Sequence, residues 1–163
     1  MSEEPKNSLA FATGDFSKDS RLPAEKRDPE SFAVIGAAME VHRELRHGLN
    51  EILYKDALAV EFTMQGIPFE REKLLTVIYK GGILPSLFKA DFICFGTLLR
   101  ECKALQAMGG AEDAQVLNYL RITRLSRGLL LNFGTRSLEY KRLILTVEKT
   151  PPDLTGSADI EFP

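Results

Sequence analysis

The chain has 163 residues, and 21 Lys and Arg against 23 Asp and Glu leave a formal net charge of −2. No global field therefore draws in nucleic acid, and any such binding has to come from a local basic patch. A 44% apolar share supports one soluble domain with a real core, while the polar start MSEEPKNS and the lack of a membrane-length apolar run point to a cytoplasmic protein.

Residues 1–27 hold no sustained period and read as a flexible tail, with Phe11 and Phe16 scattered in it. Asp28-Pro29 starts a helix that runs to about residue 47, Asp as cap and Pro in the first turn. Phe32, Ile35, Met39 and His42 form its apolar stripe, which makes His42 a half-buried packing residue rather than a ligand. Glu40 and Glu44 lie one turn apart on another face, where most glutamates are simply solvated. Gly48 ends the helix in a left-handed conformation. A second helix spans about 50–65, with Ile52, Leu53, Ala57, Leu58 and Val60 as its apolar face and Gly66 as its stop. Glu51 and Tyr54 meet on one side of it. Read plainly, Glu51 is a favourable acid in the first turn and Tyr54 an amphipathic core-edge residue.

Residues 69–79 alternate as a strand, Leu75, Val77 and Tyr79 against Thr76 and Ile78, and Lys80-Gly81-Gly82 is a turn signal. Strands 83–95 and 98–104 follow, making an antiparallel meander. The stretch from Lys89 to Ala104, KADFICFGTLLRECKA, organises the rest. Glu101 and Lys103 are two apart and share one side of a strand. The turn at Gly96-Thr97 folds Asp91 back beside them. Two carboxylates then share a site with one ammonium group, a set that suits Mg²⁺ (or Mn²⁺) and chemistry on a phosphodiester. The bland alternative is acid–base alternation on a solvated strand. The apolar neighbours Phe92, Ile93, Leu98 and Leu99 weigh against it, because a charge on an interior strand is costly unless it is paired or functional. Cys94 and Cys102 read as reduced core residues.

After Met108-Gly109-Gly110 a helix spans about 111–124, with Val116, Leu117 and Leu120 apolar and Gln115 and Tyr119 one turn apart. Arg121, Arg124 and Arg127 follow at three-residue spacing, either as a basic rim or as the cations a helix C-terminus favours. The apolar run 128–133 is an interior strand reached by a crossover, and 138–147 is a last, more exposed strand. Residues 149–163 read as a second flexible tail, leaving 28–148 as the domain. There is no repeat, P-loop, GxGxxG, CxxC or HExxH spacing.

Taken together, Gly48, Glu51 and Tyr54, the run Val41-His42-Arg43-Glu44-Leu45, Lys89-Ala90-Asp91, Glu101-Cys102-Lys103-Ala104, Ala114 to Leu120 and Leu130 to Gly134 resemble the GxxExxY protein family. That family is assigned to the PD-(D/E)XK, restriction-endonuclease-like nuclease superfamily. The resemblance implies an α/β fold, with a mixed sheet, a crossover helix and flanking helices. It implies that Asp91 is the first acid of the nuclease core and that Glu101 and Lys103 are the (D/E)XK pair, with Ala90 in place of the motif's proline. It further implies metal ligation by Asp91 and Glu101, with Glu40 as an extra acid from the first helix and the Cys102 main-chain carbonyl facing the metal. Gln115 and Tyr119 resemble a QxxxY feature that places the substrate or the lysine. Gly48, Glu51 and Tyr54 would support the site or the fold. The expected activity is metal-dependent hydrolysis of DNA or RNA. The alternatives are a non-catalytic nucleic-acid-binding or regulatory subunit and a structural interaction protein. A chain this small shows no evident DNA-recognition domain, which points to a homodimer or a protein partner.

Overall fold

The computed structural model describes residues 28–146; both proposed tails, with Phe11 and Phe16, lie outside the described residues. Eight elements follow in order: α1 (Pro29–Leu45), α2 (Glu51–Gln65), β1 (Phe69–Tyr79), β2 (Gly82–Cys94), β3 (Leu98–Lys103), α3 (Gly110–Thr123), β4 (Arg127–Asn132) and β5 (Glu139–Ile144). The strands form one sheet in the order β1-β2-β3-β4-β5. Only β3 and β4 are parallel. That pair needs a crossover, and α3 supplies it.

The turns are set by residues that accept positive φ. Lys80-Gly81 and Phe95-Gly96 each place two successive residues at positive φ, the backbone of a tight turn whose twist matches the flanking strands. Thr97 N–H closes the second turn on Cys94 O at 3.2 Å.

Helices α1 and α2 cover one face and α3 the other. The first core joins Val34, Ala37, Ala38, Val41, Tyr54, Leu58 and Phe62 to Phe92, Cys94, Leu98, Cys102, Leu129 and Leu131. The second joins Val116 and Leu120 to Ala90, Ile93, Leu99, Leu130, Leu143 and Leu145. At Gly128 a Cβ would lie 2.6 Å from Val116 Cγ1, so only glycine lets α3 rest this closely on β4.

The buried faces of the two helices differ from the predicted ones. On α1, Phe32 and Met39 are 67% and 47% exposed, and small residues around Ala37 and Ala38 make the contact instead. A helix seated close to its neighbours buries small side chains and turns large ones outward. On α2, Ile52, Leu53 and Val60 are exposed, while Tyr54, Leu58 and Phe62, each four apart, are fully buried. Tyr54 is therefore core rather than core edge. Its ring stacks on Phe133, its hydroxyl donates to Arg46 O at 2.6 Å, and it accepts from Leu49 N at 3.2 Å. Those bonds close the loop around Gly48, whose φ of 104° suits glycine. His42 is a packing residue, buried near Phe133 with Nε2 bonded to Thr135 O. On β1 the predicted alternation holds through Val77, with Leu75 and Val77 the less exposed set, but Tyr79 at the hairpin tip is exposed.

Asp28 caps α1 by accepting from both the amide and the hydroxyl of Ser31. It also holds Arg127 and Arg142, at 2.8 and 2.7 Å, while Arg127 reaches Glu30 and Thr97. This clasp ties the start of α1 to β4 and β5. Arg127 is thus committed to an ion-pair network and is not part of an open basic rim.

Candidate active site

β2 runs well past the end of β3. The β2–β3 ladder pairs Phe92 with Arg100 and Cys94 with Leu98; one rung further sets Asp91 opposite Glu101. At that point the strands are joined by a side chain, since Cys102 N–H donates to Asp91 Oδ2 at 2.9 Å. Ala90 packs with the α3-side core, whereas Phe92 and Cys94 pack with the α1–α2 side. The strand therefore exchanges faces at Asp91. Glu72, directly across on β1, has a positive φ of 51°.

Asp91 and Glu101 are 8% and 4% exposed, and Lys103 is half-buried. Burial and the facing Asp91 carboxylate push the Glu101 carboxyl up from its usual 4.5 to about 8, against a lesser pull from a hydrogen bond with the Asp91 backbone and from Lys103. Glu101 Oε1 is buried and has no hydrogen-bond partner among the described residues. Two converging acids, one with an orphaned oxygen, form a donor set that a divalent cation satisfies. Among the described residues no three of His, Cys, Asp and Glu gather into a metal group, so Asp91 and Glu101 stand as a pair. Glu40 instead pairs with Arg43 on α1.

The chain leaving Lys103 is held firmly. Asn132, fully buried, accepts from Leu105 N at 2.8 Å and donates to Leu105 O at 2.9 Å. It also accepts from Gly134 N and donates to Glu139. A Cβ at Gly134 would lie 2.2 Å from Leu105 O, so the loop passes directly over this glycine. α3 then begins with Gly109 N–H donating to Glu112 Oε2 at 2.8 Å. That bond, with a contribution from Lys103, holds the Glu112 carboxyl below its ordinary value.

Gln115 and Tyr119 do pair along α3: Gln115 Nε2 donates to Tyr119 Oη at 2.8 Å. Tyr119 stacks on Phe88, three residues before Asp91 on β2, with centroids 4.3 Å apart. Arg121 and Arg124 lie elsewhere. The parallel register pairs Lys103 with Asn132 and Leu98 with Arg127, so the ends of β3 are five rungs apart, roughly 17 Å. Because α3 must run back to start β4, its C-terminal Arg121 and Arg124 lie toward the end remote from Lys103.

Two charged residues at the centre escape sequence reasoning. Lys55 Nζ lies 2.5 Å from Asp91 Oδ1 and 3.2 Å from Glu51 Oε1. Burial works against its charge, but the bonds to Asp91 and Glu51 outweigh it and raise its pKa. The Glu51–Lys55 spacing reads as an ordinary surface ion pair, which hides the second contact. Arg100 is fully buried, its guanidinium 4.7 Å over the Phe62 ring and 5.6 Å over Phe92. Its place inside an apolar strand was the available signal. Cys94 and Cys102 are free and buried, and burial raises the pKa of both thiols, that of Cys102 to about 12. They are inert core residues.

A mixed sheet that brings two acids and a lysine together where β2 and β3 part defines a restriction-endonuclease-like α/β protein. The model of the PD-(D/E)XK nuclease superfamily matches residues 28–143, and the chain belongs to that superfamily. Among solved structures, one titled "Crystal structure of SSO0001" is similar over 76% of this chain and 81% of its own, with 13% identity and a TM-score of 0.40. No curated protein matches the chain. Among the described residues no helix is long and apolar enough to cross a membrane.

Proposed function

We propose that the protein is a metal-dependent nuclease of the GxxExxY type that hydrolyses phosphodiester bonds in DNA or RNA. The observation that carries this reading is the buried Glu101 carboxyl facing Asp91 beside Lys103, with one oxygen unpartnered. Asp91 and Glu101 would hold the cation, Mg²⁺ or Mn²⁺, with the Cys102 main-chain carbonyl and Glu40 as further oxygen donors. When bound, such an ion supplies Lewis-acid stabilisation of the phosphate oxygens and a more acidic water. Lys103 orients the attacking water or stabilises charge on the phosphate in the transition state. Gln115 and Tyr119 place the substrate, and Arg121 and Arg124 contact phosphates farther along the strand. Gly48 and Tyr54 support the site by fixing the start of α2. A homodimer or protein partner supplies the extra binding surface that so small a domain needs.

The test uses the purified full chain with Mg²⁺ or Mn²⁺ on single- and double-stranded DNA and RNA. Asp91→Asn, Glu101→Gln and Lys103→Ala, each shown to be folded, are expected to lose cleavage by about 10²-fold or more. The first two should also bind metal less well, while Lys103→Ala should retain binding. Equal cleavage by the wild type and all three variants would place the activity elsewhere. Nucleic-acid binding without cleavage by the wild type would favour a binding subunit.

A further inference from the structure

Asp91 offers two oxygens, and they are not equivalent. Oδ2 is taken by Cys102 N–H, inside the sheet. Oδ1 is the oxygen left to meet a metal, and Lys55 Nζ lies 2.5 Å from it. The same ammonium lies 3.2 Å from Glu51 Oε1, one helical turn back and at the more exposed end of the pair. The backbone under Lys55 is fixed, because Tyr54 is anchored in the core by Phe133, Arg46 O and Leu49 N. The four-carbon stem of lysine is what remains free to move.

An ammonium and a divalent cation cannot both occupy the Oδ1 position. At so short a range their repulsion is strong, and the low exposure of both Lys55 and Asp91 weakens solvent screening. We propose that Lys55 is the resident counter-ion of the acid pair and exchanges with the divalent metal, withdrawing from Asp91 Oδ1 onto Glu51 when the metal enters. Glu51 is then the parking site for the displaced ammonium, which gives the glutamate of the Gly48–Glu51–Tyr54 motif a physical task. Lys55 is a positioning residue in this scheme, setting metal affinity without touching the scissile bond. The inference rests on the reading of Asp91 and Glu101 as metal ligands, but not on cleavage.

Calorimetric titration of the full chain with Mn²⁺, without nucleic acid, is the test. Lys55→Met and Lys55→Gln should bind Mn²⁺ about tenfold more tightly than the wild type, the scale of releasing one partly buried ion pair. Lys80→Met, at the hairpin tip, removes the same charge far from the site and should leave affinity unchanged. Glu51→Gln should weaken binding in the wild type and have a smaller effect in the Lys55→Met background, since its partner is then gone. On the wild type itself, ¹³C-lysine NMR should show the Lys55 side-chain signal moving on addition of Mg²⁺. Unchanged or weaker Mn²⁺ affinity in the folded Lys55 variants would overturn the exchange. So would a Lys55 signal indifferent to Mg²⁺, or no metal binding by any chain. A wild type that binds Mn²⁺ but cuts nothing would defeat the nuclease reading alone, and the affinity ratios would still decide the exchange.

Discussion

Glu101→Gln should make the metal-free protein more stable, and increasingly so as pH rises. The folded carboxyl holds its proton up to about pH 8, against 4.5 for the ordinary group. Between those values the folded chain binds a proton that the unfolded chain has released, so stability falls as pH rises through the window. The loss is below about 1 kcal/mol at pH 5, roughly 3 kcal/mol at pH 7 and about 5 kcal/mol by pH 9. Glutamine does not titrate, and its amide can donate to Asp91 much as the protonated acid does, so the variant escapes this loss. At about 3 °C per kcal/mol for a domain of this size, the variant's Tm should exceed that of the wild type by roughly 10 °C at pH 7. The two should nearly coincide at pH 4.5. Thermal unfolding by circular dichroism, with a chelator present, measures both chains across this range. Taking their difference cancels the titrating groups that do not interact with Glu101. Excess metal should narrow or reverse the gap, because only the wild type keeps both acids. A variant equal to or less stable than the wild type at pH 8 without metal would refute the idea that Glu101 is held against its own charge.

Asp28→Asn should cost about 2 kcal/mol at neutral pH by loosening the clasp with Arg127 and Arg142. Burial raises the Asp28 carboxyl, but the Ser31 hydrogen bonds and the two arginines outweigh it and hold it below its ordinary value of 3.8. The gap from wild type, read by denaturant unfolding, should therefore shrink as pH falls below the ordinary carboxylate range. Gly134→Ala forces a methyl onto Leu105 O and should cost about 3 kcal/mol, with a matching fall in Tm. Because Lys103 leads directly into that loop, cleavage should fall further than the stability loss alone explains. Nucleic-acid affinity, followed by fluorescence anisotropy, should drop steeply as salt rises; a flat salt response would count against phosphate contacts by Lys103, Arg121 and Arg124.

The order of elements was legible because the signals were local. Asp28-Pro29, the Lys80-Gly81 and Gly96 turns and the apolar run before Asn132 each announce themselves within a few residues. The burial of α1 and α2 was not, since choosing Phe32, Met39 and Val60 as core residues assumed that large apolar side chains face inward. How closely helices approach is decided in three dimensions, and here it favoured Ala37, Ala38 and Tyr54. At the site, the Glu101–Lys103 spacing and the hairpin set Asp91 opposite Glu101, but the exchange of faces at Asp91 breaks the two-residue period and left no mark in the sequence. Lys55 was invisible because its partner Asp91 is 36 positions away, while a sufficient explanation, Glu51, sat one turn back. The expected basic rim divided for a similar reason. Regular spacing continued from Arg121 to Arg127, but the chain passed from helix to strand between them.

The Asp91 carboxylate sits between β2 and β3 and holds Cys102 N–H in place. Without the proposed chemistry an acceptor would still be needed at that position to keep the sheet joined, and asparagine would keep that bond while losing the ion pair to Lys55. The Glu101 carboxyl is different, because burial and the facing Asp91 make its charged form costly to the fold. The first acid is therefore kept by the architecture as well as by any chemistry, whereas the second is held at a cost that a bound cation would offset.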